Sequence, residues 1–77
     1  MSSYLVIVRN RVRELRSARR LSQAELGTAL HVSRQTINAI ETGKYLPSLP
    51  LALALGRLFA TRIEDMFFVD EDKERES

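Results

Sequence analysis

Residues 23–42 read QAELGTALHVSRQTINAIET, and the rest of the chain is arranged around them. Ser22 precedes the stretch and Glu25 lies three residues on. That is capping-box spacing, in which the serine oxygen and the glutamate carboxylate each satisfy a free amide at a helix start. Leu26 and Leu30 follow one helical turn apart, which gives the first short helix an apolar stripe. His31 and Val32 break the pattern. Ser33 is a second N-cap candidate, and Ile37 and Ile40 carry the apolar spacing of a second short helix. Two short helices joined by a tight turn, each with one apolar stripe, make a helix-turn-helix unit. Gly27 falls where the two helices would cross, and a small residue allows the close approach.

Outward from this unit, a first helix is expected over residues 10–19 with Val12 and Leu15 inward. Gly43 fits a left-handed cap after the third helix, and residues 45–47 form a loop. Ser48 caps a fourth helix that runs to Phe59 and tolerates Pro50 in its first turn. Thr61 and Glu64 have the spacing to cap a short fifth helix over 63–67. Residues 4–8 (YLVIV) read as a short strand, with an extension of helix 1 as the competing reading, and residues 66–69 (MFFV) are the other strand-like run. The two are expected to pair antiparallel. Residues 70–77 are a charged tail. The expectation is one mainly α domain over 1–77, with its core in 10–67, five helices and a small two-stranded antiparallel sheet from the terminal segments.

Six fragments in this order resemble the Cro and phage-repressor (XRE) family of DNA-binding transcriptional regulators: RVRELR at 11–16, LSQAEL at 21–26, VSRQTI at 32–37, IETGK at 40–44, PSL at 47–49 and IEDMF at 63–67. The resemblance implies a lambda-repressor-like fold. His31 and Ala60 stand where that family usually has glycine, at positions that favour positive φ, so local strain is expected at both.

Composition narrows the chemistry. The chain has 77 residues, enough for one domain with a modest core, which makes a partner subunit expected. It has no cysteine, hence no disulfide and no Cys-based zinc site. No apolar run approaches a membrane span, and residues 4–8 are too short for a secretory signal core, so a cytoplasmic location is expected. The net charge of +2 hides an asymmetry. Residues 9–44 carry a clear excess of Arg and Lys, whereas 70–77 are mostly acidic, so positive charge accompanies the helix-turn-helix half. His31 is the only histidine and has no convergent partners; a turn residue is the expected role. The acidic tail lacks the spaced glycine and ligand pattern of a calcium loop. No nucleophile, base and oxyanion arrangement stands out, and neither an enzyme nor a cofactor is expected.

The site expectations centre on the third helix, because the major groove admits one α-helix whose N-terminal side chains reach base edges. Arg34 suits guanine O6 and N7, Gln35 suits adenine N6 and N7, and by resemblance both occupy base-reading positions. Ser33 and Asn38 are lesser base-contact candidates, with a plain helix cap as the equal alternative for Ser33. Phosphate contacts are expected from Gln23, which matches a family phosphate contact, and from Thr36, Thr42, Lys44 and Arg11. The loop amides of Thr42, Gly43 and Lys44 are expected to assist. By resemblance, Arg16 and Glu41 would pair inside the domain. The fourth helix is apolar almost all round, which points to a second packing partner and to a dimer interface that includes Leu53, Phe67 and Phe68. The resulting expectation is a homodimeric repressor on double-stranded DNA, acting by occupancy. The alternative is an antitoxin or partner-dependent regulator, whose apolar surface binds another protein.

Overall fold

The computed structural model describes residues 7–70. Strand β1 (Ile7–Asn10) leads into helices α1 (Val12–Ala18), α2 (Gln23–Leu30), α3 (Arg34–Glu41), α4 (Leu49–Phe59) and α5 (Ile63–Met66), and strand β2 (Phe67–Asp70) closes the fold. The strands pair antiparallel, with Val8 opposite Val69 and Asn10 opposite Phe67. The strand expectation therefore holds for residues 7 and 8 and for 67–69, whereas Met66 closes α5 and Asp70, expected in the tail, is the last residue of β2; residues 4–6 and 71–77 lie outside the described residues. The first helix starts later than residue 10, because Asn10 belongs to the ladder. Its side chain then spans the junction: Oδ1 accepts from the Val12 amide at 3.0 Å and Nδ2 donates to the Ile40 carbonyl at 2.9 Å.

The core takes side chains from all five helices: Val12, Leu26, Ile37, Ile40, Leu55, Phe59 and Met66 are buried. Burial of one stripe per helix is what the apolar spacing encodes. The helix starts are set by local polar chemistry. Ser22 and Glu25 form the full capping box, while the Ser33 and Ser48 hydroxyls accept from the amides of Thr36 and Leu51. The fifth helix departs from expectation. Its N-cap is Arg62, with no side-chain cap bond, and it ends at Met66. Thr61 sits in the preceding turn, where its hydroxyl donates to the Phe59 carbonyl at 2.9 Å, so it is unavailable as a cap.

Helices α1 to α4 all end in the same Schellman-type closure. Leu21, Val32, Lys44 and Thr61 donate back to the carbonyls of Arg16, Gly27, Ala39 and Gly56, and the preceding residues Arg20, His31, Gly43 and Ala60 donate to Ser17, Thr28, Ile40 and Arg57. Each of those four preceding residues has positive φ: 58° at Arg20, 62° at His31, 78° at Gly43 and 52° at Ala60. The strain expected at His31 and Ala60 is therefore present, and Arg20 shares it. A left-handed L-residue costs about 1–2 kcal/mol, and glycine forfeits about 0.5–1 kcal/mol of unfolded-chain entropy. His31→Gly and Ala60→Gly should each stabilise the fold by about 0.5–1 kcal/mol. Thermal melts should show each variant above the parent, by roughly 4–8 °C per kcal/mol for a domain of this size. A lower midpoint would mean that the native side chain makes contacts worth more than the strain.

The turn between α2 and α3 also requires Gly27. A Cβ there would lie 2.6 Å from the Val32 carbonyl oxygen, closer than any side chain permits. Gly56 repeats the arrangement under the Thr61 carbonyl, at 2.9 Å, so the α4–α5 turn has the same close approach.

Candidate nucleic-acid interface

Ile37 and Ile40 anchor α3 in the core, which turns Arg34, Gln35 and Asn38 outward. With 3.6 residues per turn, Gln35 lies opposite the buried face, Arg34 leans toward the start of α2, and Asn38 lies between them. Gln23, Arg34, Gln35 and Asn38 together line one open cleft. Four residues from two helices, named above by position or by family resemblance, are thus brought to a single surface. Their carboxamide and guanidinium groups supply both donors and acceptors.

Other candidates sit differently. Ser33 caps α3: its Oγ accepts from the Thr36 amide at 3.1 Å and lies 3.0 Å from the Thr36 hydroxyl. Thr36 faces away from the cleft, into a groove it shares with Leu30, Val32, Tyr45 and Leu51. The Thr42 hydroxyl donates to the Asn38 carbonyl at 2.9 Å. The loop amides expected to meet phosphate are already engaged: Thr42 donates to Asn38, Gly43 to Ile40 and Lys44 to Ala39. The Schellman closure of α3 takes all three, leaving the exposed Lys44 side chain as the donor of this loop. Arg11 is drawn elsewhere. Its guanidinium meets Glu14 through Nε at 3.2 Å and Nη2 at 3.0 Å, and Nη1 donates to the Asp65 carbonyl at 3.3 Å. The hydrogen bond first, and the guanidinium charge second, hold the Glu14 carboxyl below the usual carboxylate range.

Arg16 and Glu41 pair as expected, with Arg16 Nε donating to Oε2 at 2.6 Å and Nη2 to Oε1 at 3.1 Å. Arg16 Nη1 also donates to the Leu21 carbonyl at 2.8 Å, so one guanidinium holds α1, the following turn and α3 together. The Glu41 hydrogen bond raises the Arg16 pKa above its ordinary value against the opposing effect of burial. A second partner of Glu41 was not legible in the sequence: Gln23 Nε2 donates to Glu41 Oε1 at 3.1 Å.

On α4, Ala52, Leu55 and Phe59 are buried, whereas Leu49 and Leu53 are 67% and 51% exposed. Leu46, just before the helix, is exposed as well. The single chain therefore leaves part of this apolar helix uncovered. Phe68 is exposed at the sheet, but Phe67 packs half-buried against the core, so Phe67 serves the domain itself before any interface. Among the described residues no helix is long and apolar enough to cross a membrane, and no group of three His, Cys, Asp or Glu is placed to hold a metal ion.

Comparison with known proteins bears on the family and the fold. Residues 8–66 match the family model described as a helix-turn-helix domain. The chain is 45% identical over 65 residues to YgzD, an HTH-type transcriptional regulator of Bacillus subtilis; the match covers 84% of this chain and 98% of that protein. It is 44% identical over 66 residues to a regulator of the same type from Methanocaldococcus jannaschii, covering 86% of this chain and 100% of the relative. Among solved structures, the restriction-modification controller protein C.AhdI from Aeromonas hydrophila superposes with a TM-score of 0.64 at 31% identity, over 71% of this chain and 80% of that one. A protein from Bacteroides fragilis shares the fold alone, with a TM-score of 0.70 at 18% identity, over 79% of this chain and 98% of its own.

Proposed function

The chain belongs to the helix-turn-helix domain family of DNA-binding transcriptional regulators, and from that premise we propose that it is a homodimeric repressor that docks α3 in the major groove of a palindromic operator. The observation that carries this reading is the shared cleft of Gln23, Arg34, Gln35 and Asn38 on the outward face of α3. In a two-fold dimer the two recognition helices lie about 34–36 Å apart, one turn of DNA, so operator symmetry mirrors protein symmetry. The uncovered Leu49 and Leu53 supply the surface for the second copy, and occupancy of a promoter then blocks transcription. Selection of bound sequences from a random DNA pool tests the proposal: a two-fold symmetric consensus supports it, and a single unrepeated half-site removes the dimer. The same exposed leucines favour a second reading, in which a different protein covers α4. A stoichiometric small partner recovered with the chain from its native cell would support that antitoxin-like role.

Base readers and phosphate binders differ in kind. Arg34→Ala should cost about 1–3 kcal/mol on the selected operator and relax preference at one base pair per half-site. Gln35→Ala should act likewise at a neighbouring pair. Lys44→Ala should weaken operator and random DNA alike and flatten the salt dependence by about one unit of slope for each phosphate that is no longer neutralised. Affinities for the operator, its single-base variants and random DNA across a salt series separate the two patterns. Equal losses on every sequence for Arg34→Ala would place Arg34 on the DNA backbone.

A further inference from the structure

Glu41 has a second partner that the ion pair with Arg16 does not explain. Its side chain is 3% exposed, and its Oε1 accepts from both Arg16 Nη2 and Gln23 Nε2, each at 3.1 Å. A carboxylate only accepts, so it fixes which end of the Gln23 amide faces inward: the nitrogen. The second amide hydrogen and the oxygen are left for the cleft that Gln23 shares with Arg34, Gln35 and Asn38. Gln23 is the first residue of α2 and Glu41 the last of α3, so the bond also ties the two helices of the motif at the side facing that cleft.

We infer that Glu41 is a positioning residue for DNA binding: it holds the Gln23 amide in the one orientation that presents a donor to the DNA backbone. The inference rests on the DNA-binding reading above. A free glutamine side chain loses rotamer freedom on binding, whereas one already held by Glu41 loses little. Removing the hold should weaken DNA binding about three- to tenfold. The effect should be the same on operator and random DNA, because a phosphate contact carries no sequence information.

The test must remove the acceptor and keep the fold. Replacing a buried ion pair by apolar residues of similar volume is often neutral for stability, so Arg16→Met/Glu41→Leu is the suitable variant. It is compared with Gln23→Ala and with the triple variant, using the sequence selected by the parent protein and random DNA. The expected result is a three- to tenfold loss for the double variant, with the triple binding no more weakly than Gln23→Ala alone. A purely structural pair gives another pattern: the folded double variant binds like the parent, or its loss adds in full to that of Gln23→Ala. Either result overturns the inference. A measurement on the unmodified protein stands beside this one. The side-chain amide protons of Gln23 should exchange with water more slowly than those of Gln35, and equal exchange would overturn the inference even if the double variant failed to fold. Failure of the parent protein to select any sequence would count against the DNA-binding reading, while the amide exchange reports the Glu41 bond independently.

Discussion

Replacing Arg16 by methionine alone is expected to lower the free energy of unfolding by about 3 kcal/mol. The substitution leaves the Glu41 carboxylate, 3% exposed, with only the Gln23 amide as a partner. Removing one member of a buried ion pair costs about 3–5 kcal/mol, chiefly because the survivor is desolvated without compensation. The lower end applies because Arg16 keeps 13% of its side chain in water. The Leu21 carbonyl loses a donor at the same time. In a small domain with about 5–15 kcal/mol in total, this is a large share. Urea titration should show a lower midpoint at unchanged slope, and adding Glu41→Leu to the same chain should restore most of the loss. A drop well under 1 kcal/mol would show that water screens the pair.

Leu53→Glu should separate the proposed dimer and weaken operator binding by about 10²–10⁴-fold. Leu53 is 51% exposed and Leu49, one turn earlier on the same helix, is 67% exposed, so the pair presents apolar surface that a second copy would cover. A carboxylate placed there would have to be desolvated against its symmetry mate. Without the dimer, the second half-site no longer engages at the high effective concentration that linkage provides, which accounts for the expected factor. The buried core residues Leu55 and Phe59 are untouched, so the monomer should remain folded. Sedimentation should report the smaller species and a filter-binding titration the loss of affinity. A variant that stays dimeric and keeps its operator affinity would move the interface off α4.

Most of the fold is legible in the sequence because its determinants are local. Ser22 with Glu25, Ser33 and Ser48 mark helix starts by their own hydrogen bonds, and the spacing of Val12, Leu26, Ile37 and Ile40 marks the buried faces of the first three helices. What escapes a sequence reading depends on contacts between distant segments or on competition for one atom. Arg20 sits among residues that suit a helix, yet it turns left-handed where α1 must give way to α2; Arg19 beside it donates to the Leu58 carbonyl. Asn10 suits a helix start but is held in a ladder with Phe67. Thr61 has the cap spacing, but the turn engages its hydroxyl first. At the site, Arg34, Gln35 and Gln23 stand out by position on the motif and do share one surface. The loop amides defeat the expectation because helix closure and phosphate binding require the same N–H groups. The Gln23–Glu41 bond spans two helices, and no local pattern announces it.

The β1–β2 ladder has a consequence for the order of assembly. It joins segments at opposite ends of the described chain, Val8 with Val69 and Asn10 with Phe67, whereas the turns after α1, α2 and α4 close over only a few residues. Loop-closure entropy rises with the length enclosed, so local closures come cheaply and the ladder is favourable only once the helices between its strands are in place. The helices should therefore collapse first and the ladder zip last. In the reverse direction the ladder should be the first unit to open, in excursions that leave the helix-turn-helix intact, and its amides should exchange faster than those of α2 and α3. Such an opening would also remove the bond from the Arg11 amide to the Met66 carbonyl, while Met66 stays packed in the core and α2 and α3 keep their shared turn.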